Sequence, residues 1–373
     1  MSRPILHWFP GVLALGLVGL GCARFEPPDK EELRQFPRDP NLPGSPPASG
    51  LRYWQGPLEP LPYTGSYVSV IVGGQSGPGQ LELWRNTWGE PGAAERAIVV
   101  RRGPSIDRLG PATAVLDGRA IDDVPDAKQP DRLSPTRGFT RPSMTWYPDI
   151  GYVLMTCVCP DYKPGSVPLV PALCTSKTGE PGTWRYGHKI TGDMAELAAK
   201  KTIWCDGGGI VRLPDGRWRM YLNGTGQVVA AMESDSLDGP WRFLRDAKGE
   251  IRDLLPDFPR GRGREGVFPT VLQVARDEWH LWIVDKWPPQ CVFHYWSTDG
   301  LTWRPYGLQP EITRAAVNGR GIKCLRTFVE PDGKHIGGLL SVWCPQGDGK
   351  KEWQFHYIRM LVGPPPGTAG GSR

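Results

Sequence analysis

The stretch GGIVRLPDGRWRMYLN, residues 208–223, decides the fold. Hydrophobic and polar residues alternate on both sides of a Pro-Asp-Gly turn at 214–216, most clearly from Trp218 onward. Alternation on both sides of a tight turn is typical of a β-hairpin. A third strand is predicted at 228–233, and a fourth after Trp241, so the hairpin belongs to a unit of four short strands.

The same unit recurs along the chain. Similar runs of strands and turns span residues 142–184, 208–241 and 268–303, and they close on Trp184, Trp241 and Trp303, which lie 57 and 62 positions apart. Four short strands per period indicate a propeller blade, because each blade buries its faces only against its neighbours. Less regular copies begin near Tyr67 and Cys324. The sequence therefore predicts an all-β fold, a five-bladed β-propeller of four-stranded antiparallel blades, with a β-sandwich carrying long loops as the alternative.

Composition agrees with this fold class. The 373 residues include 48 Gly, 40 Pro and 16 Trp, which indicates a folded, turn-rich protein and excludes a disordered one. Only 22% of the residues are charged, and a helical bundle would use more of them and fewer Gly and Pro. The net charge of +5 is small and scattered, so we expect no nucleic-acid partner.

The first residues predict export. Residues 1–21 carry an early Arg and a short apolar run, which is typical of a signal peptide. Gly21 followed by Cys22 resembles a bacterial lipoprotein signal, although Gly19 stands where that family usually has Leu. The resemblance implies lipidation of Cys22 and a bacterial, exported protein anchored by lipid to a membrane of the cell envelope. The alternative is an ordinary cleaved signal followed by a chance cysteine.

The remaining chain divides by composition. Residues 22–60 are rich in Pro and charge and are predicted to form an extended tether, whereas residues 363–373 are predicted to be a disordered tail. Residues 61–362 are predicted to form the propeller. Seven cysteines follow Cys22, and buried thiols or one or two disulfides are favoured over a metal site, because Cys157 and Cys159 have no His or Asp at a zinc-like spacing.

Four charged residues precede the innermost strands of blades two to five. They are Arg141, Asp206, Glu265 and Arg320. The inner strands of a propeller begin near the central axis, so their first residues converge on one pocket. The spacing predicts that two carboxylates and two guanidinium groups meet there.

These residues carry a family resemblance. Trp204-Cys205-Asp206 ahead of the Pro-Asp-Gly turn, Arg264-Glu265-Gly266 ahead of Phe268-Pro269, and the Gly-containing closures before Trp241 and Trp303 resemble five-bladed propeller glycoside hydrolases of the arabinanase, xylosidase and fructosidase type. The resemblance implies that Glu265 is the general acid and that Asp206 orients it and tunes its pKa. Glycosidic cleavage needs one protonated carboxyl and a second, ionised one.

The second carboxylate is missing from its expected place. The family has an Asp base or nucleophile at the start of the first blade, where this chain reads Tyr63-Thr64-Gly65-Ser66-Tyr67-Val68. Asp149 is predicted to lie in an outer hairpin turn, and nothing in the spacing of Asp122, Asp123 and Asp126 brings them inward. The chain is therefore either an enzyme with an unidentified base or a propeller without activity. Asp206 and Glu265 have an equally good interpretation as structural partners of arginines.

Other side chains complete the predicted site. Arg141 and Arg320 are predicted to bind substrate, and Trp146, Trp204 and Trp296 to stack on sugar rings, although tryptophans in blades mostly pack between sheets. His294 is predicted to be a hydrogen-bonded structural residue. No metal site or cofactor is predicted, and a structural calcium has no support beyond the resemblance.

The sequence is compatible with three functions. The first is a membrane-anchored glycoside hydrolase, the second a carbohydrate-binding propeller without catalysis, and the third a protein-interaction scaffold with an unknown partner. The expected ligand of the first two is a glycan in the axial pocket, and the expected membrane contact is the lipid anchor.

Overall fold

A computed structural model describes residues 52–65, 67–87, 97–116, 138–159, 170–187, 208–223, 228–258, 266–285, 290–306, 310–345 and 351–362. Twenty strands form five four-stranded antiparallel sheets, which confirms the predicted five-bladed β-propeller and excludes the sandwich. Cys22, Trp204, Asp206 and Glu265 lie outside the described residues, as do Asp122, Asp123 and Asp126.

Blades one to four are each built from consecutive strands that pair in chain order from the axis outward. Blade one contains β2 (Val68–Val72), β3 (Leu81–Asn86), β4 (Ile98–Gly103) and β5 (Thr113–Leu116). Blade two contains β6 (Gly138–Tyr147), β7 (Gly151–Cys159), β8 (Val170–Ser176) and β9 (Arg185–Gly187). Blade three contains β10 (Gly209–Arg212), β11 (Trp218–Asn223), β12 (Val229–Ser234) and β13 (Arg242–Phe243). Blade four contains β14 (Gly266–Ala275), β15 (Glu278–Asp285), β16 (Val292–Ser297) and β17 (Arg304–Pro305).

Blade five joins the two ends of the described chain. Its strands are, from the axis outward, β18 (Ile322–Val329), β19 (Ile336–Pro345), β20 (Lys351–Val362) and β1 (Arg52–Thr64). A short 3-10 helix, Arg314–Val317, precedes β18. The strand β1 pairs antiparallel with β20 and begins nine residues before position 61, where the sequence placed the start of the propeller. The N-terminal strand therefore closes the ring on the outer edge of the last blade.

Aromatic residues fill the spaces between blades. Trp241 is completely buried between blades two and three, together with Trp218, and Trp303 packs with Tyr221 between blades three and four. Trp184 is half-buried and meets the edge of the Trp84 ring at 5.8 Å. A large ring supplies much of the apolar area that two facing sheets need. The closing tryptophans of the sequence repeat are therefore interblade core residues.

Hydrogen bonds link neighbouring blades around the axis, through the inner strands or the residues beside them from blade one to blade five and through β19 from blade five back to blade one. Ser69 Oγ accepts from Met144 N (2.9 Å) between blades one and two, and Ser143 Oγ donates to Gly208 O (3.1 Å) between blades two and three. The other links are Gly208 N to Pro269 O (2.6 Å), Thr270 Oγ1 to Leu325 O (2.6 Å) and Ser341 Oγ to Gly65 O (3.0 Å). These bonds fix each blade relative to its neighbours.

Candidate functional site at one end of the axis

The five inner strands begin at the same end of the axis, which we call the axial entrance. Gly208, two residues after Asp206, donates its N–H to the carbonyl of Pro269 at 2.6 Å. Gly208 has φ +98°, and a Cβ there would lie 1.7 Å from Tyr221 O, so only glycine fits. The described backbone next to Asp206 and the described start of β14, directly after Glu265, therefore lie close together.

A buried arginine fixes this junction. Arg326, on β18, donates from Nη1 to Pro269 O (3.0 Å), to Thr270 Oγ1 (2.8 Å) and to Gly208 O (3.4 Å). One guanidinium group thus connects blades three, four and five. The described starts of the inner strands of blades three and four are therefore held together by one buried side chain of blade five.

Three inner strands are bulged at the axial entrance. The register shifts between Thr140 and Ser143 in β6, between Val267 and Thr270 in β14, and between Ile322 and Cys324 in β18. Each shift leaves an extra residue on the inner strand. Bulges are over-represented beside active sites, where they redirect a side chain. The same irregularity at the same end of three blades marks this end as the candidate site.

The bulge in β14 places an aromatic ring at the axis. Phe268 has φ +55°, a left-handed conformation that bulky residues rarely adopt and that concentrates at functional sites. Its ring centroid lies 5.3 Å from that of Tyr67. Tyr67 directly precedes β2, within the stretch 63–68 where the family resemblance implies an Asp base. A buried aromatic pair therefore occupies that side of the entrance.

Lys323 is the extra residue in the bulge of β18. Its Nζ lies 5.4 Å from the centroid of the Tyr67 ring and 5.5 Å from the centroids of the Phe268 and Trp353 rings. Both Lys323 and Trp353 are half-buried. Distances below about 6 Å permit cation–π attraction. The ammonium group is thus held by rings from blades one, four and five, and we call this arrangement the Lys323 cradle.

Burial and nearby positive charges shift the pKa values of two groups near the entrance, Cys324 and His356. Burial raises the pKa of the Cys324 thiol to about 11, although the positive charges of Arg326 and Lys323 oppose the rise. Burial also lowers the pKa of His356, and the charge of Arg320 lowers it further. Cys324 is consequently a protonated, unreactive thiol at neutral pH.

The structure brings some of the predicted site residues to the entrance. Arg141 lies within the bulge of β6, where its backbone is described and its side chain is not. Arg320 is half-buried just before β18, and its carbonyl accepts a hydrogen bond from Arg314 Nε at 3.2 Å. Asp206, Glu265 and Trp204 lie outside the described residues, so their roles stay predictions.

Two predicted tryptophans lie elsewhere. Trp146 is near the far end of β6, paired with Tyr152 across the hairpin, and packs against the core between blades one and two. Trp296 is 9% exposed and packs with Tyr306 on the outer strands of blade four. The structure does not bring either ring to the axial entrance.

The sequence interpretation overlooked Tyr67, Phe268, Lys323 and Trp353. Their positions depend on strand bulges, which leave little trace in a hydrophobic pattern. The one available signal was Pro269 inside an otherwise apolar strand, because proline in an inner strand marks a bulge.

A second group of polar residues lies between blades four and five, away from the entrance. Glu278, His280, His294 and Glu311 form a chain of hydrogen bonds: Glu278 Oε1 to His280 Nε2 (2.9 Å), His280 Nδ1 to His294 Nε2 (2.8 Å) and His294 Nδ1 to Glu311 Oε1 (2.6 Å). We call it the seam network. His294 is buried and hydrogen-bonded, so the structural interpretation of this residue is confirmed.

Glu311 is the centre of the seam network. Its Oε2 accepts from Trp54 Nε1 (2.9 Å) and Trp282 Nε1 (3.1 Å). Burial raises its pKa to about 7, against the lowering effect of the two indole donors. The ring of His294 is stacked between those of Trp282 (4.5 Å) and Tyr306 (4.0 Å). Every group in this network therefore has its partners inside the protein.

Four further observations concern the described residues outside the entrance and the seam network. Asp149 lies in an exposed turn, as predicted, and bonds Arg212 Nη1 at 2.7 Å, which lowers its pKa. Within the described ranges, no group of three His, Cys, Asp or Glu side chains is arranged to hold a metal ion. No helix in those same ranges is long and apolar enough to cross a bilayer. Cys174 is a buried free thiol.

Comparisons with known proteins give the fold. No family model matches the sequence. No curated protein matches it either. Among solved structures, an exo-β-1,3-galactanase from Phanerochaete chrysosporium, determined with galactose, is 9% identical with a TM-score of 0.52, over 82% of this chain and 64% of the galactanase chain.

Two other solved structures align over almost their whole length. An α-L-arabinofuranosidase from Podospora anserina, determined with cellotriose, is 11% identical with a TM-score of 0.51, over 84% of this chain and 98% of that one. An N-acetylgalactosamine deacetylase from F. plautii is 11% identical with a TM-score of 0.50, over 87% and 94%. At these identities the likeness is one of fold, and the chain is a five-bladed β-propeller of the kind found in glycoside hydrolases.

Proposed function

We propose that this protein is an exported, membrane-anchored propeller that binds a glycan at the axial entrance and cleaves it with Glu265 as general acid and Asp206 as the residue that tunes it. The observation that carries the proposal is the set of three bulged inner strands at the end where Gly208 meets Pro269. Similarly folded proteins that were determined with galactose and cellotriose support a saccharide ligand. Fold alone does not determine the reaction, so the test must be chemical.

The test of hydrolysis uses Glu265→Gln. Purified protein is incubated with aryl β-galactosides, β-xylosides and α-L-arabinofuranosides, and the released phenol is measured. Loss of a positioned general acid lowers the rate about 10²- to 10⁴-fold, so the variant should lose at least 100-fold on any glycoside that the wild type cleaves. Asp149→Asn is the matched control, because this carboxylate lies in an exposed turn. Equal rates for wild type and Glu265→Gln would refute the acid role.

A second candidate function is glycan binding without cleavage. It is favoured by the stretch 63–68 that opens blade one, where hydrolases of this fold, by the resemblance, have an Asp; this stretch has none, and its Tyr67 packs against Phe268. Under this hypothesis calorimetry would detect oligosaccharide binding while chromatography finds no product after long incubation. Product release from any oligosaccharide, lost in Glu265→Gln, would exclude it.

Export and lipid anchoring form a separate part of the proposal. Their support is the sequence pattern of residues 1–22. Expression in a bacterial host with a labelled fatty acid should label the wild type and leave Cys22→Ala unlabelled. An unlabelled wild type in the soluble fraction would show that residues 1–22 act as an ordinary signal or not at all.

A further inference from the structure

The Lys323 cradle presents a positive charge that the described part of the chain does not neutralise. Lys323 Nζ has no carboxylate partner among the described residues, and three aromatic rings lie at nearly equal distances from it. Cation–π contacts attract an ammonium group but add no negative charge. A half-buried ammonium group of this kind retains the capacity to bind an anion.

The cradle also holds the charge in place. The stem of Lys323 starts from a bulge, and rings from three blades surround its head. A free lysine side chain loses up to about 2 kcal/mol of rotamer entropy when it is fixed. Here the fold has already fixed the side chain, so a ligand anion would bind without that cost.

The surroundings of the cradle add to its preference for anions. Arg326, whose guanidinium group is buried, lies three residues after Lys323 on β18, and Arg320 precedes the same strand. Both Lys323 and Arg326 act electrostatically on Cys324. The half-buried Trp353 ring offers an apolar face beside the ammonium group, which is what a sugar ring requires.

From these observations we infer that the axial entrance takes an acidic saccharide, whose carboxylate or sulfate group binds Lys323 Nζ while the sugar ring packs beside Trp353. This inference rests on the proposed function, because it names the class of glycan that the same site binds. It distinguishes this chain from a propeller that accepts a neutral sugar chain.

The experiment compares three trisaccharides by calorimetry at low ionic strength. They are trimers of galacturonic acid, of galactose 6-sulfate and of galactose. The wild type should bind at least one acidic trimer 10-fold or more tightly than the neutral one, and this preference should fall as salt is added. Whether the uronate or the sulfate binds more tightly identifies the anionic group.

Variants of Lys323 test whether this residue binds the anionic group of the saccharide. Lys323→Met should weaken binding of the acidic trimer at least 10-fold and leave the neutral trimer unchanged, and Lys323→Arg should restore part of the preference. Lys248→Met, in an exposed turn of blade three, is the matched control and should bind as the wild type does. Circular dichroism and the midpoint of thermal unfolding establish that each variant is folded.

The possible outcomes separate this inference from the proposed function. If the wild type binds or cleaves the neutral trimer as well as the acidic ones, the inference is wrong and the proposed function stands. If Lys323→Met weakens all three ligands equally, Lys323 supports the structure of the site and does not select an anion. If no oligosaccharide binds at all, both the inference and the proposed function fail.

Discussion

The axial entrance and the seam network both hold charged side chains inside the propeller, but their charges are balanced differently. In the seam network, Glu311 accepts hydrogen bonds from Trp54 and Trp282 and shares a third with His294, so each buried polar group has a partner within the protein. In the Lys323 cradle, three rings surround an ammonium group that has no carboxylate partner among the described residues. The first arrangement suits stability, and the second leaves a charge available to a ligand.

The largest effect that would test this comparison is the loss of Glu311. Glu311→Ala leaves two indole N–H groups and one imidazole nitrogen without their common hydrogen-bond partner. Each unsatisfied buried group costs about 1 to 3 kcal/mol, so the free energy of unfolding should fall by about 3 to 5 kcal/mol in urea denaturation. A loss comparable to that of an exposed substitution would show that the seam network is not structural.

The second test is the pH dependence of stability. The three hydrogen bonds of the seam network need three protons, and two neutral imidazoles supply only two. The pKa of Glu311, about 7 in the folded protein and near 4.5 in the unfolded chain, allows the carboxyl to supply the third. Because the folded pKa is the higher one, this contribution is complete below pH 4.5 and is lost as the pH rises to 7, by roughly 3 kcal/mol.

Glu311→Gln isolates this contribution, because the amide mimics the protonated carboxyl at every pH. The difference in free energy of unfolding between Glu311→Gln and wild type should rise between pH 5 and pH 8 in favour of the variant. A pH-independent difference would place the third proton on an imidazole instead. His280, His294 and Glu278 are the titratable groups in this chain of bonds, so His280→Gln provides a second comparison.

The third test is the stability of Lys323→Met. A ligand-binding charge contributes little to folding, and the methionine can still pack against the three rings. The free energy of unfolding should change by less than about 1 kcal/mol, far less than for Glu311→Ala. A loss of several kcal/mol would contradict the distinction between the two regions.

The smallest effect is expected at Asp149. This carboxylate is 58% exposed and pairs with Arg212, which is 41% exposed. Water and salt screen such a pair. Asp149→Asn should therefore leave the denaturation midpoint and any glycan binding unchanged, and a changed binding constant would reopen Asp149 as a site residue.

The sequence predicted the blades well because their signal is local. Trp184, Trp241 and Trp303 recur once per blade, and the packing between sheets requires a large ring at that level. Hairpin turns such as the one at 214–216 set the register of their own strands. Both signals lie within a few residues of the structure that they predict.

The strand β1 could not be predicted in the same way. The charged stretch to Arg38 and the Pro/Gly/Ser-rich segment through Gly50 favoured an extended tether up to residue 60, and Pro57 and Pro60 within β1 lack the N–H that a central strand needs. In the structure β1 is the outermost strand of blade five, where one edge forms no ladder and prolines are tolerated. Its partner β20 lies about 300 positions away along the chain, beyond the reach of a local pattern.

The sequence predicted only some of the residues that lie at the axial entrance. The blade period placed Arg141 and Arg320 before strand starts; in the structure the backbone of Arg141 lies in the bulge of β6, and Arg320 lies two residues before β18. The Lys323 cradle depends on two bulges and on the left-handed conformation of Phe268, none of which alternation reveals. The predicted stacking residues Trp146 and Trp296 instead follow the general rule that blade tryptophans pack between sheets.

The closure of the ring by β1 has a mechanical consequence. Arg52 pairs with Val362, so tension applied to the chain before residue 52 would act first on the ladder between β1 and β20. Trp54, in that strand, donates to Glu311. Separating the first few pairs would detach the start of the outer strand of blade five and remove a donor from the seam network at the same time. The hydrogen bond from Trp54 to Glu311 therefore couples the attachment of β1 to the protonation state of the Glu311 carboxyl.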